Sequence, residues 1–450
     1  MDKVLIVGAG IAGEALAALL GRAGWRVTVV EVAPGPRSGG QTVDLRGSSA
    51  AALERMGLLE ACRARLIAQR GIAWVDAGGH RMAQMPVEAF GGRGFVSSAE
   101  LLRADLAAVL HDAAVGAGAE HRFDDPVTAL EPAGTAVEAR FRRSRPEGFD
   151  LVVGADGAHS AVRRLVFGPE EAFVRRLGLA HAWFTVPQSP ATGAVDGWYL
   201  VHNAPGSRLV ELRPGRPGQL EAGFTFPAEH LDRLPDRRDR EAQHALLEEV
   251  FAGVGWRAPQ LLAAARAAED FAVDSFDQIH TGTWSRGRVV LLGDAAWCTS
   301  PLSGLGTALA LTGAVALADA LGDHPLPEAL HRYEAAVRPR ARAAQQLPPG
   351  RVRTYAPRTT TGIRASAALM TLLQHQPAAT LLEALVDRKS AHGSDRAPGR
   401  VRRGGRHGRV RRALPDPQRR APELMQGRPS GQRGADPNGT VVTASHGPPT

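Results

Sequence analysis

Gly8, Gly10 and Gly13 stand at G-x-G-x-x-G spacing directly behind the apolar run VLIV. Glycines in that pattern can bring backbone N–H groups up to a pyrophosphate. The first permits a tight turn, the second lets the backbone approach the phosphates, and the third lets the next helix pack on the preceding strand. That helix opens on Ile11, Ala12 and Gly13 and aims its positive end at the same point. Eighteen residues past Gly13, Glu31 closes the strand RVTVVE, where a carboxylate can accept hydrogen bonds from both hydroxyls of an adenosine ribose. The chemistry is dinucleotide binding, and this motif alone does not separate NAD from FAD.

Two later segments belong with it. DLVVGADGAHSAVRR ends an apolar run at Asp156 and Gly157, with Ser160 and Arg163 close behind. VVLLGDAAWCTSPLSGLGT ends a second apolar run at Gly293 and Asp294, and a loop holding Pro301, Gly304, Leu305 and Gly306 then opens onto an alanine-rich helix.

The elements that must position these residues follow from hydrophobic period. A strand at 3–7, a helix at 11–23 and a strand at 26–31 make a βαβ start. Helices are expected near 49–67, 98–114 and 304–321, and strands near 126–131, 136–141, 150–154 and 288–293. Residues 73–96 and 176–231 read as strands with Gly/Pro turns, and 238–266 as helical. The reading is an α/β chain with a discontinuous nucleotide-binding domain from 1–72, 97–175 and 268–347. A mixed β-sheet substrate domain from 73–96 and 176–267 is inserted into it, and a helical segment at 348–387 follows.

Of 450 residues 44% are hydrophobic, enough for a substantial core. No uncharged apolar run can span a bilayer and the start lacks a signal-peptide head, so a cytoplasmic protein without membrane attachment is expected. The two cysteines, Cys62 and Cys298, are too few for a disulfide framework or a zinc site and read as small buried hydrophobes. The net charge of +8 is local: residues 388–450 hold 14 Lys/Arg against 4 Asp/Glu, a net of +10, which leaves −2 for the rest. That Arg/Gly/Pro-rich tail is expected to be disordered. It lacks interleaved aromatic residues, so specific nucleic-acid binding is not expected. Its abrupt start after ASAALMTLLQHQPAATLLEALVD suggests a reading-frame shift in a GC-rich gene.

The three spaced motifs resemble the class A flavoprotein monooxygenases of the p-hydroxybenzoate hydroxylase type, and within them the branch of tetracycline-inactivating and aromatic polyketide monooxygenases, over residues 1 to about 345. The resemblance implies a Rossmann-like (GR2-type) FAD-binding domain. It places Asp156 and Gly157 near the pyrophosphate and Asp294 on the ribityl chain. The loop Pro301–Gly306 would then offer backbone N–H groups and a helix start to the charge of reduced flavin. Asp44 and Arg46, in SGGQTVDLRGSS, match the stretch beside the isoalloxazine, and Arg103 matches an arginine directed toward the FAD. Trp297 departs from the pattern, standing where many relatives have a histidine.

The implied reaction is reduction of non-covalent FAD by NADPH or NADH, reaction with O2 to a flavin C4a-hydroperoxide, and hydroxylation of an aromatic or polycyclic, polyketide-like molecule. No protein nucleophile is required, so no catalytic residue is named; the chain excludes water and positions the substrate. A pocket is expected between the inserted sheet and the flavin. Trp183, Phe184, Trp198, Tyr199, Phe224 and Phe226 come from that sheet, with about half facing elsewhere by alternation. His202, Glu211 and Arg213 are candidates to orient a phenol or enol. A flavin reductase without oxygen insertion and a tail-driven nucleic-acid-binding protein are the alternatives. A flavin halogenase is disfavoured because no Trp-x-Trp-x-Ile-Pro segment occurs.

Overall fold

The computed structural model describes residues 2–36, 39–89, 96–237 and 239–373. The expected tail at 388–450, and the helical segment past residue 373, lie outside the described residues.

The apolar runs VLIV, VTVV, LVVG and VVL leave no polar face, the pattern of strands covered on both sides, and they form the parallel centre of a six-stranded sheet. Its order is Ser285–Arg286, Val289–Leu291, Leu151–Gly154, Lys3–Val7, Arg26–Val30, Glu120–Arg122. Val7 pairs with Gly154, and Gly154 with Leu291, so the three motif-bearing strands end side by side. In open α/β sheets that carboxyl edge is where ligands gather. The helix Ile11–Arg22 packs against helices Arg103–Gly116 and Gly306–Asp323. Its Ala15, Ala17 and Ala18 are fully buried, and such small side chains let the backbones approach.

Two expected helices differ. The one at 49–67 is split into Ser48–Arg55 and Leu59–Arg63 at Gly57, whose φ of 72° no continuing helix accommodates. The one at 98–114 begins at Arg103, because Glu100–Leu102 pairs antiparallel with Thr42–Asp44 and its backbone is already engaged. A three-stranded antiparallel sheet is formed by Val127–Ala133, Ala136–Phe141 and Glu147–Phe149.

The second large sheet has seven strands in the order Ala272–Ile279, Val174–Pro187, Gln219–Pro227, Arg208–Pro214, Trp198–Ala204, Gly71–Val75, Arg81–Pro86. It reaches past the residues expected for it, to Gly71 in the strand next to one edge and to Ala272–Ile279 at the other edge. Helices Arg240–Val250 and Ala258–Ala267 cover one face, where Phe184, Phe224, Phe226, Phe251 and Leu261 form a dry core. Phe224 meets Phe251 edge to face at 4.7 Å, a geometry that aromatic quadrupoles favour. The opposite face packs Leu179, Val201, Leu209 and Phe276 against Leu302, Ala356 and Ala367, so it receives the loop that leaves the parallel sheet. Helix Thr360–Leu373 lies on the strand Arg81–Pro86. Among the described residues no helix is long and apolar enough to cross a membrane.

Candidate dinucleotide and substrate site

Backbone geometry builds the first half of the site. Gly8 has φ 106°, and a Cβ there would lie 2.5 Å from the Ala155 carbonyl oxygen, so the first turn rests directly on the GADG segment. A Cβ on Gly13 would stand 2.0 Å from the Gly8 carbonyl oxygen, which fixes the third glycine. Gly293, at φ 66°, lies against Ala12, its Cβ position 2.9 Å from that methyl. Those three glycines are demanded by packing. Gly10, Gly157, Gly304 and Gly306 differ: a Cβ on any of them would meet nothing within 4 Å. They leave open cradles at three motif turns, the arrangement a long phosphate-linked cofactor needs, and the residues present therefore fit FAD.

Glu31 spans the first turn. Its carboxylate accepts the Ala9 N–H at 2.9 Å and the Ala33 N–H at 3.0 Å, which holds it beside the glycine loop. Asp156 is turned inward, accepting the Ser160 hydroxyl at 2.5 Å and the Val162 N–H at 3.1 Å, and so starts helix Ala161–Val166. Burial pushes its carboxyl above the usual range against the pull of those bonds. Arg163 is completely buried and donates to the Ala158 carbonyl at 2.6 Å and the Ala295 carbonyl at 3.0 Å, which ties the second motif to the third.

Asp294 is half-buried at the start of the short turn Asp294–Trp297. Burial raises its carboxyl pKa, and the nearby Arg103 guanidinium opposes that. Arg103 also flanks Gly40, whose Cβ position is 3.5 Å from the Arg103 Cβ, so the glycine loop at 39–40 and Asp294 share one arginine. Asp44 and Arg46 bind each other: Arg46 donates its N–H at 2.8 Å and its Nε at 2.7 Å to the two carboxylate oxygens. Past Asp294, Ser300 sits at φ 70° and accepts the Leu302 N–H at 3.4 Å. The loop Pro301, Leu302, Ser303 then turns at Gly304, φ 68°, into helix Gly306–Asp323, leaving Leu305 exposed.

Trp297 and Cys298 face inward. The Trp297 indole lies 4.4 Å from the Trp284 ring and 6.2 Å from Tyr333, and a Cβ on Gly313 would be 3.0 Å from it. The residue is a core filler, made possible by glycine on the facing helix. Burial and the Asp294 carboxylate push the Cys298 thiol well above its usual pKa, and burial lifts Cys62 to about 11, so neither is an activated thiol.

Side chains build the second half. Alternation along the seven-stranded sheet sends Phe184, Trp198, Phe224 and Phe226 to the helix-covered face and Tyr199 to the face carrying Leu302. His202 also belongs to the covered side, 6.0 Å from the Trp256 ring, with Nδ1 3.0 Å from the Val75 carbonyl oxygen. As a member of that core it is no candidate for orienting a substrate.

Glu211 and Arg213 lie on the face that carries Leu302 and hold a network that reaches farther than expected. Tyr199 and Tyr355 donate their hydroxyls to Glu211 Oε1, the latter at 3.2 Å. His181 Nδ1 lies 3.2 Å from Glu211 Oε2 and 2.7 Å from Thr225 Oγ1. Burial keeps both tyrosines protonated and holds His181 below its usual pKa, hence neutral. Arg213 stacks 4.5 Å from the Tyr199 ring centroid and donates to Glu100 at 2.5 Å; Glu100 also takes the Thr42 hydroxyl at 2.9 Å. A continuous polar path thus joins the strand Thr42–Asp44 to the centre of the seven-stranded sheet. Beside Arg213 on the neighbouring strand, Glu221 accepts the Thr185 hydroxyl next to Asp270, and burial lifts its carboxyl to about 7.

His181, Thr225, Glu221 and Tyr355 are the members missed in sequence. His181 carried the one usable signal, a period-two partner for Trp183 in AHAWF; its ring lies 6.0 Å from that indole. Nothing in the sequence brings Tyr355 to this face, 144 residues from Glu211.

The FAD binding domain family matches residues 1–347. An uncharacterized protein of Mycobacterium tuberculosis is 44% identical over 323 residues, 71% of this chain and 85% of its own length. The FAD-dependent monooxygenase asL4 of Sarocladium schorii is 35% identical over 332 residues, 72% of this chain and 76% of its own. The crystal structure of tetracycline destructase Tet(51) superposes with a TM-score of 0.69 at 28% identity, covering 84% of this chain and 98% of that one.

Proposed function

Because the chain belongs to the FAD binding domain family and is an FAD-dependent monooxygenase, we propose that it hydroxylates an aromatic or polycyclic, polyketide-like molecule in the cytoplasm, with NADPH or NADH as electron donor. Bound FAD supplies the redox chemistry: two electrons from the nicotinamide, with O2 giving one oxygen atom to the substrate and the other to water. The observation that carries this reading is the polar face of Tyr199, Glu211, His181 and Arg213 on the same side of the sheet as Leu302.

In this reading Gly10 and Gly157 leave room for the pyrophosphate, with Ile11, Ala12 and Gly13 presenting the helix start to it. Glu31 takes the adenosine ribose, and Asp294 the ribityl chain. Pro301, Gly304, Leu305 and Gly306 wall the flavin ring. Arg103 supplies positive charge beside Asp294, and the Asp44–Arg46 pair stiffens the loop next to the ring. Residues 73–96 and 176–267 form the core of the substrate domain around that polar face. There Trp183 and Tyr199 offer ring surface and Arg213 a cation for a phenolate or enolate. Glu211 Oε1, fed by two tyrosine hydroxyls, receives or returns the proton of a substrate hydroxyl.

The test is purification followed by a flavin spectrum, then oxygen uptake and NAD(P)H oxidation across phenolic and polyketide substrates under labelled O2. Label in the product supports the proposal. NAD(P)H consumption with substrate reduced and no oxygen incorporated establishes the alternative, a flavin reductase. The structural likeness to the tetracycline destructase Tet(51) makes tetracyclines part of the panel.

A further inference from the structure

Glu14 lies one residue past the glycine motif, and its side chain is only 1% exposed. A carboxylate taken so far from water requires a positive partner or a full set of donors. No lysine or arginine among the described residues pairs with it. Two histidines do: His111 Nδ1 is 3.0 Å from Oε1, and His121 Nε2 is 3.1 Å from Oε1 and 3.0 Å from Oε2.

The three residues come from separate elements, the helices Ile11–Arg22 and Arg103–Gly116 and the edge strand Glu120–Arg122. The imidazole centroids are 4.4 Å apart at an interplanar angle of 70°, so the rings do not stack; each turns a nitrogen toward the carboxylate. One donor atom from each residue falls within 4.8 Å of the other two. Zinc bonds of about 2.0–2.1 Å to nitrogen and oxygen set tetrahedral corners roughly 3.3 Å apart, close to the nitrogen–oxygen distances here. The Phe123 ring lies 6.1 Å from both imidazoles and gives the site an apolar side. His111 is 23% exposed in its side chain, which opens a direction for entry and for a water as fourth ligand.

We propose that Glu14, His111 and His121 bind a divalent cation of the zinc class through two nitrogens and one oxygen. A set without thiolate, carrying one carboxylate, suits Zn2+ and equally admits Co2+ as a probe. The ion neutralises Glu14 and ties the outermost strand of the parallel sheet to the two helices beside it. The role is structural: the three ligands leave the redox chemistry to the cofactor.

The experiment uses the full FAD-loaded chain, freed of metal with a chelator, and ZnCl2 or CoCl2 alone as probe. In equilibrium dialysis the wild type takes up one zinc more than a His111→Ala/His121→Ala double variant. Glu14→Gln, which keeps shape but loses charge, weakens that site by at least about tenfold. Zinc raises the melting temperature of the wild type and not of the double variant. Cobalt in the wild type gives the strong visible bands of four-coordinate geometry. Equal uptake by wild type and double variant overturns the proposal and leaves Glu14 held by imidazole hydrogen bonds alone. Should the double variant lose its fold by circular dichroism, the wild-type cobalt spectrum decides: weak six-coordinate bands, or none, also overturn it.

Discussion

At the motif turns that follow the parallel strands the open positions are backbone, left bare by Gly10, Gly157, Gly304 and Gly306. The Leu302 side of the seven-stranded sheet is instead built from inward-packed side chains: Tyr199, His181, Glu211 and Arg213. One surface is made by omitting atoms and the other by adding them. A surface made by omission tolerates almost no substitution, because a single methyl fills it or collides behind it. A surface of side chains can be exchanged residue by residue while the sheet beneath stays the same, which is how related folds come to serve different substrates.

The sharpest way to break this contrast is Gly13→Ala. Its methyl would stand 2.0 Å from the Gly8 carbonyl oxygen, so the first turn must shift, and expression should yield little folded or yellow protein. Gly10→Ala is the counterpart. Gly10 sits at φ −87° with open space ahead, so thermal unfolding of the flavin-free chain should move by less than about 0.5 kcal/mol while FAD titration shows a loss of roughly tenfold or more. Equal damage from both would erase the distinction between packing glycines and cradle glycines.

Next in size is Trp297→His, which puts in place the histidine that the family resemblance leads one to expect there. It empties space beside Trp284 and Tyr333, so urea unfolding should report a loss of about 3 kcal/mol, with flavin content per folded molecule unchanged. On the opposite sheet, Tyr199→Phe should retain the flavin spectrum and lower kcat by roughly tenfold to a hundredfold, about 1.4–2.7 kcal/mol in the barrier. Loss of flavin from that variant would mean that the two surfaces are not separable.

The smallest effect is a pH slope. Burial lifts Glu221 from 4.5 to about 7, so the folded chain keeps a proton that the unfolded chain has already released. Stability should therefore fall as pH rises from about 4.5 to about 7. Glu221→Gln should flatten that slope, gaining stability over wild type at pH 8 and little at pH 4. Parallel curves for the two proteins would remove Glu221 from the list of groups tuned by this sheet.

The parallel half of the molecule was readable from the chain because its requirements are local. Gly8, Gly13 and Gly293 are forced by close approaches within a few residues of an apolar strand end, and such strands announce themselves by composition. The helix breaks at Gly57 and Arg103 were less visible, since one depends on a single left-handed residue and the other on pairing between Glu100–Leu102 and a strand some 58 residues earlier. The seven-stranded half was legible as strands but not as faces. Tyr199 and His202 are three positions apart and face opposite ways, which follows from alternation once the register is known, yet register comes from partners far along the chain. Tyr355 reaches Glu211 only through the chain that follows the family-matched residues, where no periodic pattern points to it.

The buried guanidinium of Arg163 holds the Ala158 carbonyl on one side and, 132 residues further along the chain, the Ala295 carbonyl on the other. Its consequence is entropic. Two of the three turns that would surround the dinucleotide are already locked to each other, so little chain freedom remains to be surrendered when the cofactor arrives, and less of the association free energy is spent on ordering. An apoprotein prepared from this chain should keep its receiving surface in shape, regain flavin without a slow folding phase, and lose that readiness once Arg163 is shortened.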